Sequence, residues 1–300
     1  MRKREEVQVQ LAVSTLLSGI SVGGQYALIA IGYTLVYGIL RLINFAHGDV
    51  FMVAGLVVIY MSASMPLYIA LPLMIVFIVV LGFMIERVAY KPLRSAPRMS
   101  VMISAIGVSF LIQNFATYYT GGLARLYPTI PFISDTVTIA GASTRWVTVI
   151  TPFLVILLII LLQLLINHTK IGLAMRAAAK DFETSQLMGI KINSVISFTF
   201  IIGSALAAIG SILYFTNYQS IMPTSGSLPG LKAFVAAVFG GIGSIPGAVI
   251  GAFIIGICEN IVKVFPDYSI FSDADTFILL IVILVAKPTG LFGEKATDKV

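Results

Sequence analysis

Residues 11–40 read LAVSTLLSGISVGGQYALIAIGYTLVYGIL, a run from Leu11 to Leu40 without one charged side chain. A membrane-spanning helix needs roughly 20 consecutive apolar residues, so this run is long enough to cross a bilayer. Eight further apolar runs follow: Val50–Ser64, Leu67–Ile85, Val101–Tyr119, Val147–Ile166, Val195–Phe215, Ala233–Phe239, Ala248–Val264 and Phe277–Ala286. The runs are continuous, not alternating, which excludes a transmembrane β-barrel. They predict an all-α polytopic transmembrane helical bundle of about eight spans, forming a single domain over residues 1–300.

Composition agrees. Apolar residues make up 58% of the 300 positions, charged residues 11%, and mean hydropathy is +1.01. Soluble domains carry about a quarter charged residues, so this chain lacks the polar surface that water requires. The net charge of +6 does not point to nucleic acid, because the basic residues fall between apolar runs as topology signals do. The start, Met-Arg-Lys-Arg-Glu-Glu, is charged like a signal peptide. The apolar run behind it is too long and shows no small-x-small cleavage site, so it is read as a retained first helix. The single cysteine, Cys258, rules out an intrachain disulfide.

Basic residues orient the chain. Arg87–Arg98, Asn167–Lys191 and the tail with Lys287, Lys295 and Lys299 are lysine- and arginine-rich, and the positive-inside rule places them in the cytoplasm, with the C-terminus. The Thr120–Trp146 loop and the acidic stretch Phe265–Asp275 suit the outside. A conflict remains at the N-terminus. Arg2, Lys3 and Arg4 call for a cytoplasmic start, yet three runs separate them from Arg87. An even number must then cross, so a broken or re-entrant segment is expected over residues 44–64. An N-terminus on the outside is the competing solution. A second break is expected at residues 240–247, GGIGSIPG, where glycine relaxes the backbone and Pro246 removes a donor. Irregular backbone at membrane depth persists only where protein or water covers it. One break in each half points to inverted repeats around a pathway. Small residues recur at Gly243, Gly247 and Gly251 and at Gly203, Ala207 and Ser211, a spacing that lets helices approach closely, within the chain or between subunits.

Ionisable residues in apolar surroundings are costly and default to functional candidates. They are Arg41, His47, Asp49, Lys232, Glu259 and Lys263. Lys232 and Lys263 are expected to reach an interface by snorkelling, and Glu259 and Lys263 to pair four residues apart. The candidate substrate pathway comprises Asn44, Phe45, His47, Gly48 and Asp49 at the first break and Gly241, Gly243 and Pro246 at the second; a helix-capping role for Asp49 competes. Enzyme motifs are missing. With two histidines there is no His-Glu-x-x-His metal site, and Gly48-Asp49 lacks the added glycine and second aspartate of intramembrane aspartyl proteases. No Gly-Lys dipeptide occurs, so there is no P-loop. Any ATP that drives this chain must be bound by another one.

A motor needs a docking point, and residues 170–190, KIGLAMRAAAKDFETSQLMGI, offer one. The alanine run favours helix, Asp181 and Glu183 suit a helix start, and Gly189 suits a helix stop. Arg176, Asp181, Glu183, Ser185, Leu187 and Gly189 are the candidate contacts, and an ordinary interfacial loop is the competing reading.

Residues 26–38, YALIAIGYTLVYG, with 43–49, INFAHGD, resemble the permease of bacterial branched-chain amino acid ABC importers. Lys232-Ala233-Phe234 with GGIGSIPGA over 240–248 and KPTGLFG over 287–293 extend the resemblance across nearly the whole chain. It implies a translocation subunit for leucine, isoleucine, valine or similar amino acids in the bacterial inner membrane. It implies a second related permease chain, two cytoplasmic ATPase subunits that bind the ATP-Mg, an extracytoplasmic solute-binding protein, and no cofactor in this chain. The 171–190 loop resembles the ATPase-contacting segment, with Lys180 where that pattern has an acid and Ser185 where it has alanine. A urea or short-amide importer permease shares the architecture, and a stand-alone secondary transporter is the rival from another class.

Overall fold

The computed structural model describes residues 2–94, 96–139 and 141–293, with side chains from residue 8 onward; Lys295 and Lys299 lie outside it. The chain runs α1 (Arg2–Leu40), α2 (His47–Ser62), α3 (Leu67–Ile85), α4 (Arg98–Thr120), β1 (Arg125–Leu126), β2 (Thr136–Ile139), β3 (Ala142–Arg145) and α5 (Trp146–His168). It continues through α6 (Lys170–Lys180), α7 (Phe182–Leu187), α8 (Ile192–Asn217), β4 (Ser220–Ile221), α9 (Ser227–Gly240), α10 (Ile245–Val264) and α11 (Ser272–Ala286). All nine apolar runs form helix. Seven helices among the described residues are long and apolar enough to cross a membrane: α1, α3, α4, α5, α8, α10 and α11. α2 and α9 have 16 and 14 residues, about 24 and 21 Å, too short for a hydrocarbon layer of about 30 Å.

Helix ends follow local chemistry. Pro66 and Pro97 precede α3 and α4 in extended conformation. Gly121 stops α4 in the left-handed region, at φ 68°, which glycine adopts without a Cβ clash. Ser244 caps α10 by accepting the Gly247 amide at 3.3 Å. Pro246 sits in the first turn of α10, where its missing donor costs nothing. It is therefore not what ends α9. Gly241 and Gly243, at φ 108° and 99°, make that turn.

The helices define two ends of one bundle. α1 runs antiparallel to α10, with Gly19 against Ile257 and Gly23 against Phe253, and antiparallel to α8, with Gly32 against Gly203. A Cβ on Gly23 would lie 2.8 Å from the Phe253 Cα, so glycine permits this close seam. Leu40 at the end of α1 lines one cavity with Arg87, Arg94, Arg98 and Lys191; this is the basic end. At the opposite end the early α1 residue Gln10 meets Gly141 in the β2–β3 hairpin, and the Tyr60 hydroxyl near the end of α2 donates to the Tyr119 carbonyl at 3.1 Å.

This resolves the N-terminal conflict against the expected even count. α1, α2 and α3 make three passes, and the helix headed by Arg2, Lys3 and Arg4 begins at the hairpin end. The 44–64 segment is broken, as expected, and residues 41–46 together with α2 make one pass. Residues 41–46 turn back into the bundle, and α2 starts beside Gly32, eight residues or about 12 Å before α1 ends.

The second break falls where expected, between α9 and α10. Residues 240–244 form the turn, closed by the tail, where Leu291 and Phe292 donate to the Phe239 and Gly240 carbonyls at 3.0 and 2.9 Å. A further interruption inside the bundle falls earlier, at residues 218–226. α9 starts there with Gly226 and Gly230 against Gly48. The halves α1–α4 and α8–α11 thus repeat one plan in opposite directions: a long helix, a short helix starting inside the bundle, then two spans. α2 packs on α8 as α9 packs on α1, and α3 on α8 as α10 on α1.

The Thr120–Trp146 loop is more structured than expected. β1 pairs with β4, and β2 with β3. Its two arginines cap helix C-termini: Arg125 donates to the Thr120 carbonyl at 3.0 Å, and Arg145 to the Thr216 and Asn217 carbonyls at 3.1 and 3.0 Å. The negative end of a helix dipole offsets such charges, which accounts for two arginines at the end opposite the basic loops.

The small-residue series act inside the chain. Gly247 and Gly251 face Gly240 and Ala236 on α9, and Gly203 faces Gly32. Gly243 is the exception: its missing side chain faces open space, and its positive φ explains it.

Candidate functional site

Two half-length helices start in the middle of the bundle, and their first turns touch. A Cβ on Gly48 would lie 2.6 Å from the Gly226 carbonyl oxygen and 3.0 Å from the Gly230 Cα. Both helix N-termini, each with unpaired N–H groups and partial positive charge, therefore meet at depth.

The candidates at the first break gather around this contact. His47 is buried and its ring occupies the space that a side chain at position 32 would fill. Its Nε2 has no hydrogen-bond partner. Tyr33 stands edge-on to His47, with ring centroids 5.1 Å apart, and to Phe234 at 5.9 Å. Phe45 lies 6.4 Å from Phe234. The Asn44 side-chain oxygen accepts from the Tyr90 hydroxyl at 2.9 Å. Asp49 is 2% exposed. It accepts from the Ser109 hydroxyl at 2.5 Å and from the Gln113 amide at 2.9 Å, and Gln113 reaches the Ser227 hydroxyl at 3.3 Å. It lies in the first turn of α2, where its charge suits the helix dipole, and its carboxylate ties α2 to α4 and, through Gln113, to the start of α9.

The candidates at the second break do not join this cluster. Gly241 packs against Gly290 and Gly293, Gly243 faces open space, and Pro246 sits in the first turn of α10. Ser109, Gln113 and Ser227 were not among the sequence candidates, and Tyr33 and Phe234 entered only through the family resemblance, because only packing brings these residues to the break.

Lys232 does not snorkel. It is 3% exposed and forms ion pairs with Glu259 at 2.9 Å and Asp273 at 2.6 Å. Glu259 also pairs with Lys263 at 2.6 Å, as the spacing predicts, and accepts from the Tyr26 hydroxyl at 3.0 Å. This network links α9, α10, α11 and α1.

At the basic end the 170–190 segment forms two helices. Thr169 caps α6 by accepting the Gly172 amide at 3.0 Å, and Asp181 caps α7 by accepting the Thr184 amide at 3.1 Å. Gly189, at φ 85°, turns the chain after α7. Arg176 donates to Asn167 at 2.8 Å. Ser185 is buried and Glu183 exposed, while Leu187 and Met188 are 87% and 78% exposed.

The chain is a multi-pass helical bundle with two short helices meeting at its centre, and its relatives are membrane permeases. Residues 15–286 match the family model described as branched-chain amino acid transport system, permease component, and the chain belongs to that family. It is 40% identical over 300 residues to the high-affinity branched-chain amino acid transport system permease protein BraD of Pseudomonas aeruginosa, covering 95% of this chain and 97% of that one. It is 38% identical over 301 residues to the permease protein LivH of Escherichia coli K12, with 95% and 96% covered. A probable LivH from Methanocaldococcus jannaschii is 29% identical over 279 residues, covering 89% and 88%.

Proposed function

We propose that this chain is a translocation subunit of an ATP-driven importer of branched-chain amino acids in a bacterial inner membrane. It works beside a second related permease chain. Two ATPase subunits, which bind the ATP-Mg, dock at its basic end, and a solute-binding protein delivers substrate at the hairpin end. The basic end, with the C-terminus, faces the cytoplasm. The chain itself holds no cofactor.

The observation that carries this reading is α7 at the basic end. Leu187 and Met188 are large, apolar and almost fully exposed in a chain that has no P-loop. Arg176, Asp181, Glu183, Ser185 and Gly189 shape or flank that knob. ATP shifts a permease between states only if these contacts differ between the states. Asn44, Phe45, His47, Gly48 and Asp49 lie on the pathway, where two positive helix ends, one carboxylate and the Phe45–Phe234 pair suit a zwitterion with an apolar side chain. Gly241, Gly243 and Pro246 form the turn between α9 and α10.

Uptake of radiolabelled leucine should fall to background in a strain lacking this chain, with urea uptake unchanged. Restoring the chain as Glu183→Lys should leave its membrane level normal and uptake at background. Wild-type uptake by that variant would sink the docking assignment. Orientation has its own check. Thr184→Cys, in a Cys258→Ser background, should react with an impermeant maleimide only in inverted vesicles; labelling in intact cells would reverse the topology.

A further inference from the structure

The cavity at the basic end, about 740 Å³ in volume, is lined by Arg41, Arg87, Arg94, Arg98 and Lys191, with no carboxylate among the described residues of its wall. Glu86 is fully buried, pairs with Arg94, lies 3.9 Å from Arg87 and accepts from the Ser197 hydroxyl at 2.8 Å. Two of the five cations thus share one buried anion. Arg41, Arg98 and Lys191 have no ion-pair partner among the described residues.

Arg94 is held in place. One guanidinium nitrogen pairs with Glu86 and another donates to Asn193, while its Nε is buried and has no partner. Burial lowers the Arg94 pKa from its ordinary value and the Glu86 carboxylate opposes this, so the guanidinium stays charged at physiological pH. Arg41 adopts a left-handed backbone, at φ 54°, which few non-glycine residues tolerate. The first residues of α4 (Arg98) and of α8 (Ile192, Asn193, Ser194) border the cavity, and neither helix has a side-chain cap. Their dipoles add to the positive field.

Orientation alone requires only that basic residues lie at this end. It does not require them to converge on one concave space, to exclude every acid from its wall, or to leave a fixed guanidinium with an unspent buried donor. We propose that this cavity is a binding site for a phosphate-bearing anion, held by Arg98, Lys191 and Arg41 beside the fixed Arg94. Guanidinium and ammonium groups are the standard partners of phosphate oxygens. The span that includes α3 ends at Leu93, the residue before Arg94, so the site opens at the level of lipid headgroups and also toward water. A phospholipid headgroup and a soluble phosphate both reach it.

The test uses the full chain. In nanodiscs of phosphatidylcholine with phosphatidylglycerol, native mass spectrometry should find phosphatidylglycerol retained in preference to phosphatidylcholine. In neutral detergent, pyrophosphate should raise the melting temperature if the site takes soluble anions. Arg98→Gln and Lys191→Gln, both exposed positions, should each weaken whichever binding is seen by about tenfold, the loss of one charge-assisted contact, without lowering the ligand-free melting temperature. Lys170→Gln, exposed at the start of α6 and off the cavity wall, should change neither. Retention of phosphatidylglycerol alone assigns a lipid headgroup, and stabilisation by pyrophosphate alone assigns a soluble anion. Absence of both, or equal losses in Lys170→Gln, overturns the proposal.

Discussion

Replacing Lys232 with methionine is expected to destabilise the protein by about 3–5 kcal/mol, the usual cost of removing one partner from a buried ion pair. The Lys232 ammonium lies 2.9 Å from Glu259 and 2.6 Å from Asp273, and 5.9 Å above the Tyr26 ring. Its side chain is 4% exposed and that of Glu259 2%. Methionine fills similar volume but leaves the Glu259 carboxylate only Lys263, which is 37% exposed, and Tyr26. Asp273 is the informative contrast. Its side chain is 53% exposed, so water replaces its partner, and Asp273→Asn should cost less than about 1 kcal/mol. The double variant Lys232→Met, Glu259→Met should recover much of the loss, because no buried charge is then left alone. Thermal unfolding of the purified chain checks the series. A Lys232→Met melting temperature equal to that of Asp273→Asn would refute the account.

Gly48→Val should abolish uptake. The Cβ would sit 2.6 Å from the Gly226 carbonyl oxygen and 3.0 Å from the Gly230 Cα, and both obstacles are backbone, which no rotamer change relieves. The start of α9 must move away from α2, and with it Ser227, the α9 end of the Asp49–Gln113 chain. Overpacking of this kind costs about 1–3 kcal/mol, which a protein of this size survives, so the variant should still reach the membrane. The control is Gly107→Ala on α4, where nothing lies within 4 Å of the added carbon; its uptake should equal wild type. Normal uptake by Gly48→Val, at normal membrane levels, would remove the helix-end contact from the pathway.

Much of the fold was legible because its signals are local. Each apolar run became a helix, since a backbone in lipid must satisfy its own hydrogen bonds. The Glu259–Lys263 pair was readable for the same reason, being one helical turn apart. The Asn44–Asp49 break was readable because polar residues interrupt an apolar run there. The break at 218–226, NYQSIMPTSG around it, was not singled out in the sequence. Nothing local says that α2 and α1 will cover its far end, where Gly226 meets Gly48. The 240–247 break was readable as well, because its glycines announce a turn. Lys232 was misplaced because its distance from an interface was judged along its own helix, while Asp273, its partner, comes from the hairpin end of α11.

The sequence by itself determined that this chain is a helical membrane protein, which loops share an end, that it holds no P-loop, and that a capped, glycine-stopped helix lies between α5 and α8. These follow from transfer free energy and backbone geometry, which act on neighbouring residues. Tertiary structure alone decided that α1 begins at the hairpin end, that two short helices meet at Gly48 and Gly226, and that five basic residues share one cavity. Those facts are pairings between residues far apart in the chain. Lipid solvates every apolar helix face alike, so only the fit of small residues such as Gly23 against Phe253 and Gly32 against Gly203 selects the arrangement.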